Sequence, residues 1–392
     1  MDAPAEGALE GILVADFTRV LAGPYATMLL ADLGADVVKI ERPGHGDDTR
    51  DWGPPYAEDG QATYYLSVNR NKRSVLLDLH SDEGRELALE LIRRADVVVE
   101  NFAPGVMDRL GLGWDVVRTE NPAAVYASIT GFGRAAGRLP GYDLLVQAMG
   151  GLMSVTGTAP DDGREGEPTK VGVALVDVIT GIHAAVGILA ALRHRDRTGE
   201  GQHVEVELLS SLLAALVNQS SAFVSAGQIP TASGTRHPSI APYEMFATRD
   251  RQIALACGND KQFAALCATL GLPELALDDR FSTNPERVKH ADALRGHLVP
   301  VFAAEPSAHW RDVLTAAGVP CGPINDVAEA FAFAASIGLP SVVEVARPDG
   351  TTLRQVADPL TLSATPPTYR SAPPELGADT EAVIRWLREP RR

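Results

Sequence analysis

Residues 11–41 read GILVADFTRVLAGPYATMLLADLGADVVKIE, and the order of patterns in this stretch decides the fold. Gly11 to Phe17 is a short β-branched run and reads as a strand. Pro24 to Leu33, with proline in its first turn, reads as a helix, and Ala35 to Glu41 reads as a second strand. Strand, helix and strand in direct succession form a βαβ unit, whose two strands lie parallel in a sheet covered by helices. The pattern repeats downstream. Ser74 to Leu79 reads as a strand, Ser81 caps a helix running to Ala95, Asp96 to Glu100 is a strand again, and Ala123 to Thr130 closes the series.

Two helical segments follow, Tyr142 to Met149 and roughly Val178 to Arg195, separated by the polar surface loop Thr158 to Lys170. Gln202 to Glu207 alternates like a strand, and Leu208 to Val224 reads as one buried helix. Proline, glycine and serine then accumulate through Gln228 to Pro242, which marks a linker. Tyr243 to about Trp310 forms a smaller α/β unit, and a proline-rich stretch from Ala364 to Leu376 precedes a last short helix.

A chain of 392 residues exceeds the size at which one core keeps growing, so two structural units are expected. Its 35 basic against 51 acidic residues leave a net charge of −16, which argues against nucleic acid and requires any anionic ligand to find a local basic patch. The most apolar helical run, Ile179 to Leu192, is too short to span a bilayer and contains His183. Cys257, Cys267 and Cys321 lack metal or redox spacing, and MDAPAEGALEG lacks the features of a secretory signal. A soluble, cytoplasmic protein without a membrane partner is expected. The histidines show no metal-ligand spacing, so no metal site is expected, and without G-x-S-x-G a serine hydrolase is disfavoured.

Three features bear on chemistry. The turn Asp16 to Pro24 sits where a dinucleotide fold binds pyrophosphate, but it offers only Gly23 where that fold needs three spaced glycines, which disfavours an NAD-dependent oxidoreductase. Arg19, Lys39, Arg42, Arg50, Arg70, Lys72, Arg73 and Arg109 lie near strand ends; each alone reads more readily as a solvated surface charge, and it is their clustering that makes a candidate phosphate patch. Asp177 stands alone as a charge, except for His183, in the otherwise apolar stretch from Val171 to Leu192. Such a carboxylate is a nucleophile candidate or a helix N-cap, and spacing does not separate the two readings. Gly181, Ala184 and Ala185 fall on its helical face and leave room for a ligand, which favours the functional reading. Gly150 and Gly151 offer backbone N–H groups for an oxyanion, or simply a turn.

These residues lie within longer blocks: residues 9–47, NRNKRSVLLDL at 69–79, DVVVENFAPGVMDRLGLG at 96–113, ASITGFG at 127–133, PGYDLLVQAMGGLMSVTG at 140–157, residues 171–192, TGEGQHVEVEL at 198–208 and GVPCGPINDV at 318–327. In this order they resemble the class III CoA-transferases of the formyl-CoA transferase and carnitine CoA-transferase type, a family that also contains the 2-methylacyl-CoA racemases. The resemblance implies an α/β fold with an open Rossmann-like large domain and a smaller α/β domain, in an interlocked homodimer. On that plan residues 1–225 begin the large domain, 226–320 form the small domain with its linkers, and 321–392 return to the large domain. It implies no prosthetic group. Coenzyme A, as acyl-CoA, is the substrate with a small carboxylic acid, bound at Val20, Ala22, Arg42, Leu77, Asn101, Phe102, Val106, Arg109 and Tyr142. The family's nucleophilic aspartate falls on Asp177, which would pass through mixed anhydrides and an aspartyl-CoA thioester.

Two departures narrow the expectation. Leu21 stands where oxalate-using members carry glutamine, and residues 237–243 (HPSIAPY) replace their glycine-rich loop, which argues against formyl-CoA and oxalate as the substrate pair. Tyr142 replaces the histidine of the racemases, leaving proton transfer on one face of an α-carbon without its acid/base group. A transferase is therefore expected over a racemase or a CoA-binding protein without turnover.

Overall fold

The central sheet forms because its strands are apolar on both faces, as a parallel sheet covered on both sides requires. The computed structural model describes residues 7–137, 139–159 and 166–390. Strands β1 (Leu13–Asp16), β2 (Asp36–Glu41), β3 (Lys72–Leu76), β4 (Val97–Glu100), β5 (Val125–Thr130) and β6 (His203–Glu207) pair in the order β3-β2-β1-β4-β5-β6. Every pairing is parallel, with Val14 of β1 opposite Val37 on one side and Val97 on the other. The βαβ reading of residues 11–41 holds. The series does not close at Thr130, because the strand at His203 adds a sixth edge.

Successive strand residues face opposite sides, so each face has its own core. Val14, Val37, Val97 and Val99 pack with helix α1 (Ala22–Asp32) and with Ile188 and Leu192 of a later helix. Ala15, Val38 and Val98 pack on the other face with Leu91 and Ile92 of α2 (Asp82–Arg94). The Ser81 side chain caps α2 by accepting from Gly84 N, as the sequence predicts. The chain returns late to complete this second core: Val383 and Leu387 of its last helix are buried there, and Arg94 donates to the carbonyls of Trp386 and Leu387 at 2.8 Å.

The larger unit comprises Met1–Leu152, Val171–Gln228 and Leu339–Arg392, and the smaller comprises Met153–Lys170 and Ile229–Gly338. The chain passes from the larger to the smaller unit at Gln228, where the stretch Gln228 to Pro242 begins. The return comes at Leu339 rather than residue 321, and the expected surface loop belongs to the smaller unit, with residues 160–165 of it outside the described residues. The smaller unit holds the antiparallel strands β7 (Tyr243–Ala247), β8 (Gln252–Ala256) and β9 (Cys321–Pro323) around Phe246, Phe281, Phe302 and Trp310. In that core the buried Arg287 donates to Ala241 O, Phe281 O and Asp260 Oδ1, so the charge is fully engaged.

Two helices differ from expectation. Leu208 to Val224 is not one helix but two, Leu208–Ala215 and Asn218–Ala226, bent by 86° at a break where Val217 has φ +42°. The helix expected at Val178 to Arg195 runs Leu175–Thr198. Its 24 residues are long and apolar enough to cross a membrane by length and composition, which the shorter apolar run concealed. Val176, Ala184, Ile188 and Leu192 are buried in the sheet's first core, the position of a core helix.

Candidate active site

In a sheet of this order the chain leaves β1 and β4 toward opposite sides, and the crevice beyond their carboxyl ends is where a ligand fits. The turn after β1 is built with unusual care. The buried Asp16 carboxylate accepts from Thr18 N, Thr18 Oγ1, Thr27 Oγ1 and, at 3.2 Å, Lys72 Nζ. Asn101, just past β4, takes Arg19 N on its Oδ1 at 2.8 Å and gives its Nδ2 hydrogen to Arg19 O at 2.7 Å. Val20 stands at φ +70°, a conformation that β-branched residues avoid and that marks a site under constraint. Gly23 serves packing, because a Cβ there would lie 2.3 Å from Thr18 Cβ.

Two cavities open on this turn. The first, about 360 Å³, is lined by Val20, Ala22, Asn101, Phe102, Tyr142 and Asp177, and the second, about 370 Å³, by Arg42, Leu77, Phe102 and Val106. Arg19, Phe102 and Ala103 line both, and the Arg19 guanidinium lies 5.0 Å from the Phe102 ring centre. The structure thus brings together eight of the nine residues expected to bind coenzyme A, alongside Asp177. Arg109 is exposed and lines neither cavity.

The candidate phosphate patch is largely dismantled by the fold. Lys39 pairs with Asp47, Arg50 with Glu41, Arg70 with Asp32, Lys72 with Asp16 and Arg73 with Asp36. Burial lowers the Lys72 amine to about 8 even though Asp16 pulls the other way. Arg19 and Arg42 remain on cavity walls, both beside Asp48.

Asp177 is the third residue of helix α3 (Leu175–Thr198), not its N-cap, which is Ala174. The cap is supplied by Asp143, the first residue of a short helix ending at Met149: its Oδ1 accepts from Val176 N at 2.9 Å and from Asp177 N at 3.4 Å. Gln147 steadies it, donating from Nε2 to Asp143 Oδ2 at 2.6 Å while Gln147 Oε1 accepts from Val171 N. The Asp177 carboxyl is pushed up to about 7, first by burial and then by the Asp143 charge. The Tyr64 hydroxyl rises to about 12, mainly by burial, with Asp177 and Asp143 adding to it.

Two expectations about small residues change. A Cβ on Gly181 would come within 2.7 Å of Ala22 O, and Ala184 is fully buried, so these residues let α3 approach α1 rather than make room for a ligand. Gly150 caps the Asp143 helix, and its Cβ would meet Leu212 Cδ2 at 2.5 Å; neither it nor Gly151 lines the Asp177 cavity. Gly131 and Gly141 do line it, pressed together so that a Cβ on Gly131 would lie 2.4 Å from Gly141 Cα. Their signal was present in ASITGFG and PGYD, as was that of Asp143, but their role depends on a meeting of segments that spacing does not reveal. His237 and Tyr243 lie in the smaller unit with ring centres 5.3 Å apart.

The chain matches CoA-transferase family III over residues 9–380. It is 46% identical over 331 residues to the acetyl-CoA:oxalate CoA-transferase of Acetobacter aceti, covering 84% of this chain and 83% of that one. It is 43% identical over 391 residues to the succinate–glutarate CoA-transferase of Agrobacterium fabrum, covering 97% and 95%. The crystal structure of a CAIB/BAIF family protein from Brucella suis superposes with a TM-score of 0.85 at 39% identity over 97% of this chain and 100% of that one. With sheet, crevice and relatives in agreement, the chain belongs to the family III CoA-transferases.

Proposed function

We propose that the enzyme moves CoA from an acyl-CoA donor to a dicarboxylic acid through covalent intermediates on Asp177. The observation that carries this reading is the Asp177 carboxylate on the wall of a cavity that adjoins, across Phe102, a second one with Arg42 on its wall. The thioester arm of the donor would lie beside Val20, Ala22 and Asn101, and the nucleotide end beside Arg42, Leu77 and Val106, with Arg109 at the rim.

Asp177 attacks the thioester carbonyl, and the CoA thiolate departs to leave a mixed anhydride. The thiolate then attacks the aspartyl carbonyl, expels the donor carboxylate and forms an aspartyl-CoA thioester. The acceptor carboxylate attacks that thioester to give a second anhydride, which the thiolate resolves at the acceptor's carbonyl, releasing the new acyl-CoA and free Asp177. A carboxyl raised to about 7 is more nucleophilic, once ionised, than an ordinary aspartate.

Both relatives are named for dicarboxylic acids, oxalate and glutarate, which supports that acceptor class and keeps oxalate in the panel despite Leu21. We further propose a cytoplasmic homodimer. Exposed apolar side chains on Asn218–Ala226 (Phe223, Val224) and on Val327–Ser336 (Val327, Phe333) support a partner chain. Light scattering at twice the mass of the chain is the expected result.

The test is a panel of acetyl-CoA and succinyl-CoA donors against dicarboxylic acids, followed by chromatography of the CoA esters. Transfer to at least one dicarboxylate is expected. Deuterium uptake at the α-carbon of a 2-methylacyl-CoA, without transfer, would instead favour a racemase.

A further inference from the structure

We infer that the buried Lys39–Asp47 pair is a positioning clamp that holds Val20 in its left-handed conformation on the wall of the Asp177 cavity. The inference rests on the CoA-transferase reading of that cavity.

Val20 has φ +70° and lines the cavity, so a backbone state that valine resists is maintained where substrate would bind. Strain of this kind persists only when its surroundings over-determine it. Here one ion pair grips the turn from both sides. Lys39 Nζ donates to Thr18 O and to Asp47 Oδ2, each at 2.8 Å, while Asp47 Oδ1 accepts from Val20 N at 3.2 Å. Asp47 is fixed in turn: Thr49 N and Thr49 Oγ1 donate to its Oδ1, and its own N–H donates to Glu41 Oε2 at 2.8 Å. Asn101 holds the residue between, at Arg19 N and Arg19 O.

Stability alone does not explain the pair. Both side chains are fully buried, and apolar replacements for a buried ion pair are commonly neutral or stabilising. Burial disfavours charge on both groups, yet the lysine stays fully protonated and the aspartate is held at about 2, so the pair is ionised throughout the working pH range. What an apolar pair cannot do is bind Thr18 O and Val20 N.

The test is the double variant Lys39→Met/Asp47→Leu, with thermal unfolding measured beside kcat and KM for an acyl-CoA. Arg94→Met is the control; it removes the Arg94 hydrogen bonds to Trp386 O and Leu387 O, and Arg94 lines neither cavity. We expect the double variant to remain folded and to lose about thirtyfold in kcat/KM, as a misplaced binding turn does. Adding Val20→Gly should recover about fivefold, because glycine adopts positive φ without strain. Arg94→Met should lower the melting temperature and leave kcat/KM within about twofold, as a change outside the site does. Should the double variant not fold, Lys39→Gln/Asp47→Ala with and without Val20→Gly gives the same comparison, since it removes the acceptor of Val20 N without leaving a buried charge unpaired. Clamp variants with wild-type kcat/KM, or a loss that Val20→Gly does not relieve, would overturn the inference. A wild-type enzyme that exchanges CoA with no donor would instead remove the CoA-transferase reading.

Discussion

Asp143 caps the helix that carries Asp177: one carboxylate oxygen accepts the Val176 N–H at 2.9 Å and the Asp177 N–H at 3.4 Å. The same residue bears on the reactivity of Asp177: burial is the larger cause of its raised pKa, and the negative charge of Asp143 makes its ionisation harder still.

Asp143→Asn retains an acceptor for the helix but removes that charge. In the wild type, transfer should fall as pH drops below about 7, where Asp177 takes up a proton and ceases to be a nucleophile. In the variant this acidic limb should move toward lower pH by roughly one unit. A pH profile of kcat/KM checks the shift; a limb that stays in place would show that another group titrates.

Asp177→Asn should stabilise the fold while abolishing transfer. The carboxyl has a folded pKa of about 7, above the ordinary aspartate value of 3.8, so the folded state favours the protonated form. Its contribution to stability is full below the unfolded pKa and is lost as pH rises through 7. The gain in melting temperature from asparagine should therefore be larger at pH 8 than at pH 4, on the order of 3 °C. Calorimetry at both pH values measures it.

Arg42 lines the second cavity and Arg109 does not. Arg42→Met should raise KM for an acyl-CoA about fivefold with little change in kcat, since a guanidinium contact to phosphate binds ground and transition states alike. Arg109→Met should change KM by less than about twofold, the effect expected of an exposed charge. Equal effects in steady-state kinetics would mean that the rim contributes as much as the wall.

Asn101→Ala removes both hydrogen bonds to Arg19. Freed backbone groups in a half-buried turn should cost about tenfold in kcat/KM for the acyl-CoA. The acceptor acid's KM should be less affected, and initial rates at varied donor and acceptor separate the two.

Much of the sheet was legible because each strand in the first third announces itself by a β-branched run bounded by glycine or a cap, as at Val14 and Ser81. The break at Val217 was not, because LLSSLLAALVNQ has no proline or glycine to mark it. Asp177 stood out as a charge in an apolar stretch, but its cap, Asp143, lies 34 residues earlier in the chain and meets it only in the fold. The cationic series misled for a related reason: a sequence lists charges but not their partners, and Asp16, Asp32, Asp36, Glu41 and Asp47 claim five of the eight.

The central claim is that Asp177 becomes covalently linked, first to the donor acyl group and then to coenzyme A. Intact-protein mass spectrometry after mixing with an acyl-CoA, without acceptor, reads this directly. The account predicts a species heavier by coenzyme A less one water, mapped to the peptide containing Asp177 and absent from Asp177→Ala. Rapid transfer by a wild-type enzyme whose mass never changes, or an Asp177→Ala variant that still transfers CoA, would contradict it.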